Sequence, residues 1–424
     1  MKKKIYQSPF EQLTQLFPGL ISLISRVFLV LLIIGIVPWL PTPPGGLPVE
    51  ANWSAFNAWD SVFYESIATQ GYQYIDSEII QGYNVAFFPA FPLFCWLLMQ
   101  LGLPFNVAGT LINNTAFIGA AILLFGWLKQ RYNINKASWI ILVLIWCPFS
   151  IFGTFIYTEG LFLLVSIAAL RAFESQRYRQ AAFWGAIATA TRPNGVALTL
   201  TFLLVAREQK RGIQAYLSGL FSGVGIGLYS LYCGLKFGDF LAFVHTQQAW
   251  DRQTGIDWQG WKVLFFQMLF GSEKMLKGLS QYPWHFIALA LIFTIALALF
   301  YRRDRLQPNF LYYGACVLFI LTWLIAGDPF IDFLTIFGGI YLLWQFRQEL
   351  GSLLVSYGVL SYLIIFNSGS TISAERFVYG TISVAIALGL LLSRYPRYGY
   401  ATLGFFILLL TLYTIRFAQT LWIA

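Results

Sequence analysis

The stretch "VAFFPAFPLFCWLLMQLG" at residues 85–102 decides the predicted membrane topology of this chain. It can be interpreted either as a membrane span or as a surface helix. If it spans, the basic cluster at 129–136 falls outside the membrane. If it lies at the interface, the next apolar run, 106–128, returns the chain to the cytoplasm. Pro89 and Pro92 interrupt the stretch, and the apolar run after them is short for a span of ~17–25 residues. The pattern therefore predicts a proline-broken helix lying at the membrane interface.

Apolar runs of spanning length recur from end to end of the 424 residues. The chain is 58% hydrophobic and 11% charged, whereas soluble domains average about 25% charged residues. The runs are continuous rather than alternating, which favours helices that satisfy their own backbone in lipid. These features predict one all-α, polytopic membrane domain over residues 1–424. About thirteen spans are predicted, at 20–40, 106–128, 137–155, 158–173, 180–192, 195–206, 213–235, 284–301, 309–327, 329–346, 350–366, 375–393 and 399–421.

The distribution of cations predicts the orientation. Lys2–Lys4 and Arg26 indicate a cytoplasmic N-terminus by the positive-inside rule, and no Lys or Arg then occurs until Lys129. If residues 85–102 lie at the interface, the later basic clusters also face the cytoplasm and the C-terminus lies outside. Two long segments, 41–105 and 236–283, then form outer loops, and loops of that length are uncommon without a function.

The first outer loop contains "NAWDSVFYESIATQGY" at 57–72. Trp59, Phe63 and Ile67 recur at helical spacing and predict the apolar face of a short interfacial helix. Asp60 has two interpretations. Asp is a preferred N-cap residue and could begin this helix, or it could be a functional carboxylate facing the outer side.

Two further outer-face motifs carry charge. "FIYTEG" at 155–160 places Glu159 at the outer end of a helix hairpin, as a hydrated turn residue or as a site residue. "ATATRPNG" at 188–195 places Arg192 and Asn194 between two short apolar runs. A lone Arg on the outer face goes against the positive-inside bias and is expected to have an anionic partner. Its planar guanidinium matches the geometry of a phosphate group. The same sequence pattern also fits an arginine in a turn whose side chain snorkels to the interface.

Two later motifs are polar and aromatic. "FVHTQQAWDRQ" at 243–253 includes Gln247 and Trp250, which suit contact with a sugar but also a solvated loop. "STISAERFVYG" opens the twelfth predicted span with Glu375 and Arg376, which could simply pair with each other. All these motifs lie on the predicted outer face, where they could converge with Asp60 on one cavity.

Composition and motifs exclude several kinds of chemistry. The chain has no GxxxxGK[ST] and no GxGxxG after a strand, so a nucleotide cradle is not predicted. Its four cysteines are scattered and its two histidines are too few for a zinc site, so neither a metal nor a cofactor is expected. The net charge of +9 resides in short loops and does not imply nucleic acid.

A sugar donor that reaches the outer face has to come through the membrane on a lipid, because nucleotide sugars are absent there. A polyprenyl phosphate is already a good leaving group. Its sugar therefore needs a base for the acceptor hydroxyl and cations for the departing phosphate. One carboxylate and an arginine meet that need, whereas a glycoside hydrolase requires two carboxylates about 5–10 Å apart.

Six motifs carry a family resemblance: "WDSVFYESIATQGY", "FFPAFP", "CPFSIFGTFIYTEGLF", "ATATRPNG", "FVHTQQAW" and "AERF". In this order they resemble the PIG-V family, the second mannosyltransferase of GPI-anchor assembly and its bacterial relatives, over about 57–253 and near 370–380. The resemblance implies a GT-C membrane glycosyltransferase that transfers a hexose, usually mannose, with inversion from a polyprenyl- or dolichyl-phosphate donor. It also implies that Asp60 is the catalytic base. The remaining expected substrate contacts are Trp59, Glu159, Arg192, Asn194, Gln247, Trp250 and Arg376.

Two other functions stay open at this point. A transporter or lipid flippase would place charges deep within spans and contain paired repeats, which are not visible in the sequence. A non-catalytic subunit of a glycosylation complex would keep the fold without the base. The expected acceptor is a glycolipid or glycan. The expected location is a bacterial plasma membrane, or the endoplasmic reticulum in a eukaryotic host.

Overall fold

The computed structural model describes residues 9–74, 84–250, 255–270 and 283–423. Within these residues the only β pairing is an isolated bridge between Gly255 and Ser368, and the predicted all-α class is confirmed. The helices are α1 (Pro9–Leu31), α2 (Ser61–Gln70), α3 (Ala90–Gln100), α4 (Phe105–Leu128), α5 (Ile134–Trp146), α6 (Glu159–Glu174), α7 (Tyr178–Thr191), α8 (Val196–Glu208), α9 (Ile213–Ser222), α10 (Val224–Phe237), α11 (Ala242–His245), α12 (Trp258–Phe270), α13 (Pro283–Tyr301), α14 (Pro308–Ala326), α15 (Asp328–Phe333), α16 (Gly339–Gln345), α17 (Arg347–Phe366), α18 (Ala374–Tyr379), α19 (Ile382–Arg394) and α20 (Pro396–Ala418).

The membrane class is also confirmed, but the count of about thirteen spans is not. In the described residues six helices are long and apolar enough to cross a membrane, or seven if the bent pair α9 and α10 forms one span. Helices α5 to α8 contain only 13 to 16 residues each. At 1.5 Å per residue they extend roughly 20–24 Å, less than the ~30 Å of a bilayer core.

The stretch that sets the topology forms a short helix. α3 contains 11 residues, too few to span. It begins directly after Pro89, and Pro92 lies in its first turn, where the missing N–H leaves no helical hydrogen bond unmade. The surface-helix prediction therefore agrees with the structure, but the predicted proline break is wrong, because the prolines start the helix rather than interrupt it.

The predicted span at 375–393 is divided into two helices. α18 ends at Tyr379 and α19 begins at Ile382, with Gly380 and a non-helical Thr381 between them. Glycine and a β-branched residue are both poor helix formers, which favours a break at this point. The break leaves Arg376 on a short helix of its own instead of at the start of a span.

A buried segment without α-helix joins α5 to α6. Residues 148–158 form a 3₁₀ turn followed by bends, all of them buried. Backbone groups buried without helical partners need other partners. Asn113 on α4 supplies two of them, since its Nδ2 donates to the carbonyls of Phe152 at 2.7 Å and Phe155 at 2.6 Å. Its Oδ1 accepts the N–H of Gly160 at 2.8 Å.

Arg26 stabilises the same segment. Its guanidinium donates to the Ser150 carbonyl at 2.7 Å and to the Thr154 hydroxyl at 2.8 Å, and it lies 4.2 Å from the centre of the Phe117 ring. The side chain is buried. The assignment of Arg26 to the cytoplasmic cations is therefore wrong, because it packs inside the bundle against the α5–α6 connection.

The basic clusters gather at one end of the bundle. Arg131 lies just beyond the end of α4 and pairs with Glu174 at 2.5 Å, while Lys136 and Arg394 both pair with Glu349. The opposite end of α4, about 36 Å away along its 24 residues, lies beside the first outer loop. This arrangement separates the two polar ends of the molecule as the cation pattern predicts.

Candidate active site

A cavity of about 1350 Å³ lies at the end of the bundle opposite the basic clusters. Its lining includes an apolar set from the turn before α3, from α8, from α11 and from α17, here called the apolar wall. The residues of this apolar wall are Ala86, Phe87, Phe88, Leu200, Phe243, Val244, Leu360, Leu363, Ile364 and Ile365. The polar and charged lining residues, here called the polar wall, are Asp60, Thr191, Arg192, Asn194, His245, Gln247, Gln248, Asn367, Ser368, Ser373 and Arg376.

Asp60 stands at the N-cap position of α2, but its side chain makes no capping hydrogen bond. Instead its Oδ2 accepts a hydrogen bond from Nη1 of Arg376 at 3.0 Å, and the side chain is 24% exposed. The Asp60 N–H donates to the Tyr157 hydroxyl at 3.3 Å. The carboxylate is therefore directed towards the cavity, and the capping interpretation does not describe its contacts.

Trp59 sets the turn that presents Asp60. It has a positive φ of 57°, a left-handed conformation that is strained by roughly 1–2 kcal/mol for a residue with a side chain. Its ring packs edge-on against Trp422 with the centroids 5.0 Å apart, and Trp422 forms the cavity wall there. Trp59 thus supports the site from behind this wall.

The predicted apolar face of α2 is wrong in including Trp59, which precedes the helix. The helix begins at Ser61, after Trp59, and its buried residues are Ser61, Tyr64 and Ala68. Phe63 lies on a partly exposed face, where it stacks on Phe87 at 4.7 Å. Tertiary contacts with the α5–α6 connection select the buried face, since the Ser61 hydroxyl donates to the Ile156 carbonyl at 2.9 Å.

Arg376 joins the two acidic motifs. Among the described residues its ion pairs are with Asp60 and with Glu159, whose Oε1 lies 3.4 Å from Nε, rather than with the adjacent Glu375. Its guanidinium also lies over the Tyr157 ring at 5.2 Å. The interpretation of Glu375 and Arg376 as partners of each other is wrong, because the short helix α18 directs Arg376 towards the cavity.

Arg192 has the anionic partner that the sequence predicted for it, namely Glu159. It lies in the extended link between α7 and α8, and its Nη1 donates to Oε1 of Glu159. Glu159 is 1% exposed and lies behind the arginines, not on the cavity surface of the described structure. The structure thus connects Asp60, Arg376, Glu159 and Arg192 in one network of two cations and two anions.

The remaining predicted contacts divide into two groups. Asn194 and Gln247 line the cavity, and His245 does so as well. The Trp250 side chain lies outside the described residues, as do Asp251 and Arg252. Sequence reasoning missed Asn367 and Ser368, whose signal was the polar run "FNSGSTIS" at 366–373 before the twelfth predicted span.

In the outer loops, the pKa values of Tyr64 and Asp239 are shifted in opposite directions. Burial raises the pKa of the Tyr64 phenol above its usual range, and the Asp60 charge adds to this effect. Burial also acts to raise the pKa of Asp239, but hydrogen bonds from His245, the Leu241 N–H and the Tyr74 hydroxyl outweigh it and lower that pKa. Tyr64 is therefore a neutral phenol in the cavity wall, and Asp239 is an anion that ties His245 to the first outer loop.

Fold and site together define an all-helical membrane protein whose cavity presents one carboxylate beside two arginines. The chain belongs to the mannosyltransferase (PIG-V) family, whose sequence model matches residues 48–273. This match covers more than half of the chain and confirms the family inferred from the motifs. The comparison with curated proteins gives no significant match.

Solved structures similar to this chain include an archaeal oligosaccharyltransferase and ArnT. The oligosaccharyltransferase of Archaeoglobus fulgidus in its apo form has a TM-score of 0.48 and 10% identity, over 96% of this chain and 57% of the other. ArnT from Cupriavidus metallidurans, bound to undecaprenyl phosphate, has a TM-score of 0.41 and 13% identity, over 88% and 77%. This chain therefore spans little more than half the length of the archaeal enzyme, and the family assignment rests on the sequence match.

Proposed function

We propose that this protein transfers a hexose, mannose in the first instance, from a polyprenyl- or dolichyl-phosphate donor to a hydroxyl of a glycolipid or glycan acceptor. The observation that carries this proposal is the carboxylate of Asp60, which is directed into a cavity that also contains Arg376 and Arg192. A base for a hydroxyl and cations for a phosphate are the two requirements of the reaction.

The proposed step is a direct displacement with inversion. The acceptor oxygen forms a bond to the anomeric carbon of the sugar while its proton passes to Asp60. The bond between that carbon and the phosphate oxygen breaks, and its electron pair leaves with the polyprenyl phosphate. Arg192 and Arg376 stabilise the charge that develops on this phosphate, because guanidinium groups donate to phosphate oxygens in a fork.

The apolar wall supports a lipid-linked donor. Leu200 and Leu363 line the cavity and are 41% and 59% exposed, so they offer accessible apolar surface to a lipid chain. A polyprenyl chain entering beside them would keep its phosphate near Arg192, which lies eight residues before Leu200 in the link that leads into α8. The polar wall, with Asn194, Gln247 and Asn367, offers amide groups to the hydroxyls of a sugar.

Substitution of Asp60 by Asn tests the proposal. The purified protein is incubated with radiolabelled polyprenyl-phosphate-mannose and native membrane lipids, and the transfer of label is measured. We expect Asp60→Asn to reduce transfer by about 10²–10⁴-fold, the range typical of a lost general base. The amide keeps the size of the carboxylate and can still accept from Arg376, so thermal stability in detergent is expected to stay near that of the wild type.

Glu65→Gln is the matched control. Glu65 lies five residues from Asp60 on the same helix and accepts a hydrogen bond from Asn57 at 2.6 Å. Neutralising it is expected to leave transfer within a few-fold of the wild type. A stable Asp60→Asn protein with full activity would contradict the assignment of the base, and a wild type that moves the lipid donor without transferring sugar would favour a flippase.

A further inference from the structure

Glu159 holds the centre of the charged network without facing the cavity. Its Oε1 accepts from Arg192 and lies 3.4 Å from Nε of Arg376, so a single oxygen contacts both arginines. The other oxygen, Oε2, is buried and has no hydrogen-bond partner among the described residues. A buried carboxylate with an unused oxygen is energetically costly. The two guanidinium groups that contact Oε1 are its charge partners.

The two arginines lie close enough to repel each other. Both guanidinium groups are over the ring of Phe377, Arg192 at 4.9 Å and Arg376 at 5.3 Å from its centre. Both guanidinium groups also contact the same oxygen, Oε1 of Glu159, which holds the two like charges near each other in a buried site where they repel. Glu159 offsets this repulsion and fixes the spacing between the two groups, so that both stay directed towards the same cavity.

We infer that Glu159 is a positioning residue that holds Arg192 and Arg376 as one phosphate-binding pair and limits how tightly that pair retains the product. This inference rests on the proposed function. It concerns the phosphate of the lipid: a diester with one negative charge in the donor, and a monoester with up to two in the product.

Charge balance gives the reason for a limit on product binding. During transfer the proton of the acceptor hydroxyl neutralises Asp60, and the phosphate gains the negative charge that Asp60 has lost. Arg376 is then released from its ion pair at the moment when the phosphate becomes more negative. Two arginines without a buried counter-charge would retain the monoester, whereas the fixed anion of Glu159 weakens that attraction.

Substitution of Glu159 by Gln separates this role from a structural one. The variant keeps the shape and removes the charge. We expect kcat to fall about tenfold or more, because the spacing of the arginines is lost. Purified polyprenyl phosphate should bind the variant about tenfold more tightly and inhibit it at correspondingly lower concentration, since a tenfold change corresponds to the loss of one modest charge interaction. Binding is measured directly in lipid nanodiscs, with Glu65→Gln as the control.

Glu159→Asp is the second variant. It keeps the charge but withdraws the carboxylate by about one methylene, roughly 1.5 Å. Affinity for polyprenyl phosphate should then stay at the wild-type value while kcat falls. If the Glu159→Gln protein does not fold, the fall in kcat of Glu159→Asp tests the positioning role. Equal or weaker binding of polyprenyl phosphate by a folded Glu159→Gln protein, or wild-type turnover in either variant, would overturn the inference.

The two hypotheses fail in different ways. If the wild type transfers no sugar from polyprenyl-phosphate-mannose, the proposed function is contradicted at that point. The binding experiment with polyprenyl phosphate alone still decides the role of Glu159, since tighter binding by Glu159→Gln than by wild type supports it and weaker or equal binding overturns it.

Discussion

At the scale of the residue, Asp60 and Arg192 each have a contact that excludes the simplest structural explanation. Asp60 begins α2 yet leaves the helix uncapped and binds Arg376. Arg192 does not snorkel towards solvent, because its side chain is 8% exposed and pairs with Glu159. Both side chains nevertheless line the cavity. Polar groups held by buried partners and presented to a cavity are typical of a preorganised binding site.

Arg192→Lys is expected to lower kcat/KM for the lipid donor about tenfold or more, because Arg192 is proposed to bind the donor phosphate and to stabilise the charge that develops on it. Lysine keeps the charge but loses the planar fork that can bond Glu159 and a phosphate together. Steady-state transfer at varied donor concentration measures this. Arg211→Lys is the control, since Arg211 lies near the end of α6, remote from the cavity, and donates to the Phe173 carbonyl at 2.8 Å. Unchanged donor dependence would assign Arg192 a purely structural role.

At the scale of the element, the site depends on the connection between α5 and α6 rather than on a regular helix. This connection carries Tyr157 and leads directly into Glu159. Its carbonyls are satisfied by side chains from α1 and α4, namely Arg26, Asn113 and Asn114. Long-range hydrogen bonds therefore stabilise the α5–α6 connection, which in turn positions Tyr157 and Glu159.

Asn113→Leu should destabilise this element. The substitution removes two donated hydrogen bonds and one accepted bond, and it leaves buried backbone groups without partners at about 1–3 kcal/mol each. We expect a clear fall in the midpoint of thermal unfolding in detergent, together with reduced transfer. Thr115→Ala is the control on the same helix, because its hydroxyl is exposed and bonds only carbonyls of α4. A wild-type midpoint for Asn113→Leu would show that the connection does not need these bonds.

At the scale of the whole molecule, the charged ends define a direction across the membrane. The network of Arg131, Glu174, Lys136 and Glu349 occupies one end, and the cavity with Asp60 occupies the other. Together with the positive-inside rule, this separation predicts that the cavity faces the outer side. An outward-facing cavity is the arrangement that a lipid-carried donor requires.

Cysteine labelling tests this orientation. In a variant without the four native cysteines, a cysteine at exposed Ser54 should react with an impermeant thiol reagent added to intact cells, and one at exposed Lys210 should not. Permeabilised cells should label both positions, which controls for accessibility. Labelling of position 210 alone in intact cells would reverse the orientation and contradict a donor and acceptor on the outer face.

The class of this protein follows from local patterns: the continuous apolar runs, the cation pattern and the six ordered motifs predict an all-helical membrane protein of the PIG-V family. These properties depend on local composition and on the order of short segments, which can be read from the sequence directly. The pairing of the charged side chains depends instead on the folded bundle. Arg376 pairs with Asp60, 316 positions away in the sequence, instead of with its neighbour Glu375. Arg26 packs against the α5–α6 connection inside the bundle, and not on the cytoplasmic side as predicted. A buried charged side chain pairs with the opposite charge that lies close to it in the folded bundle, and long-range packing determines which residues lie close.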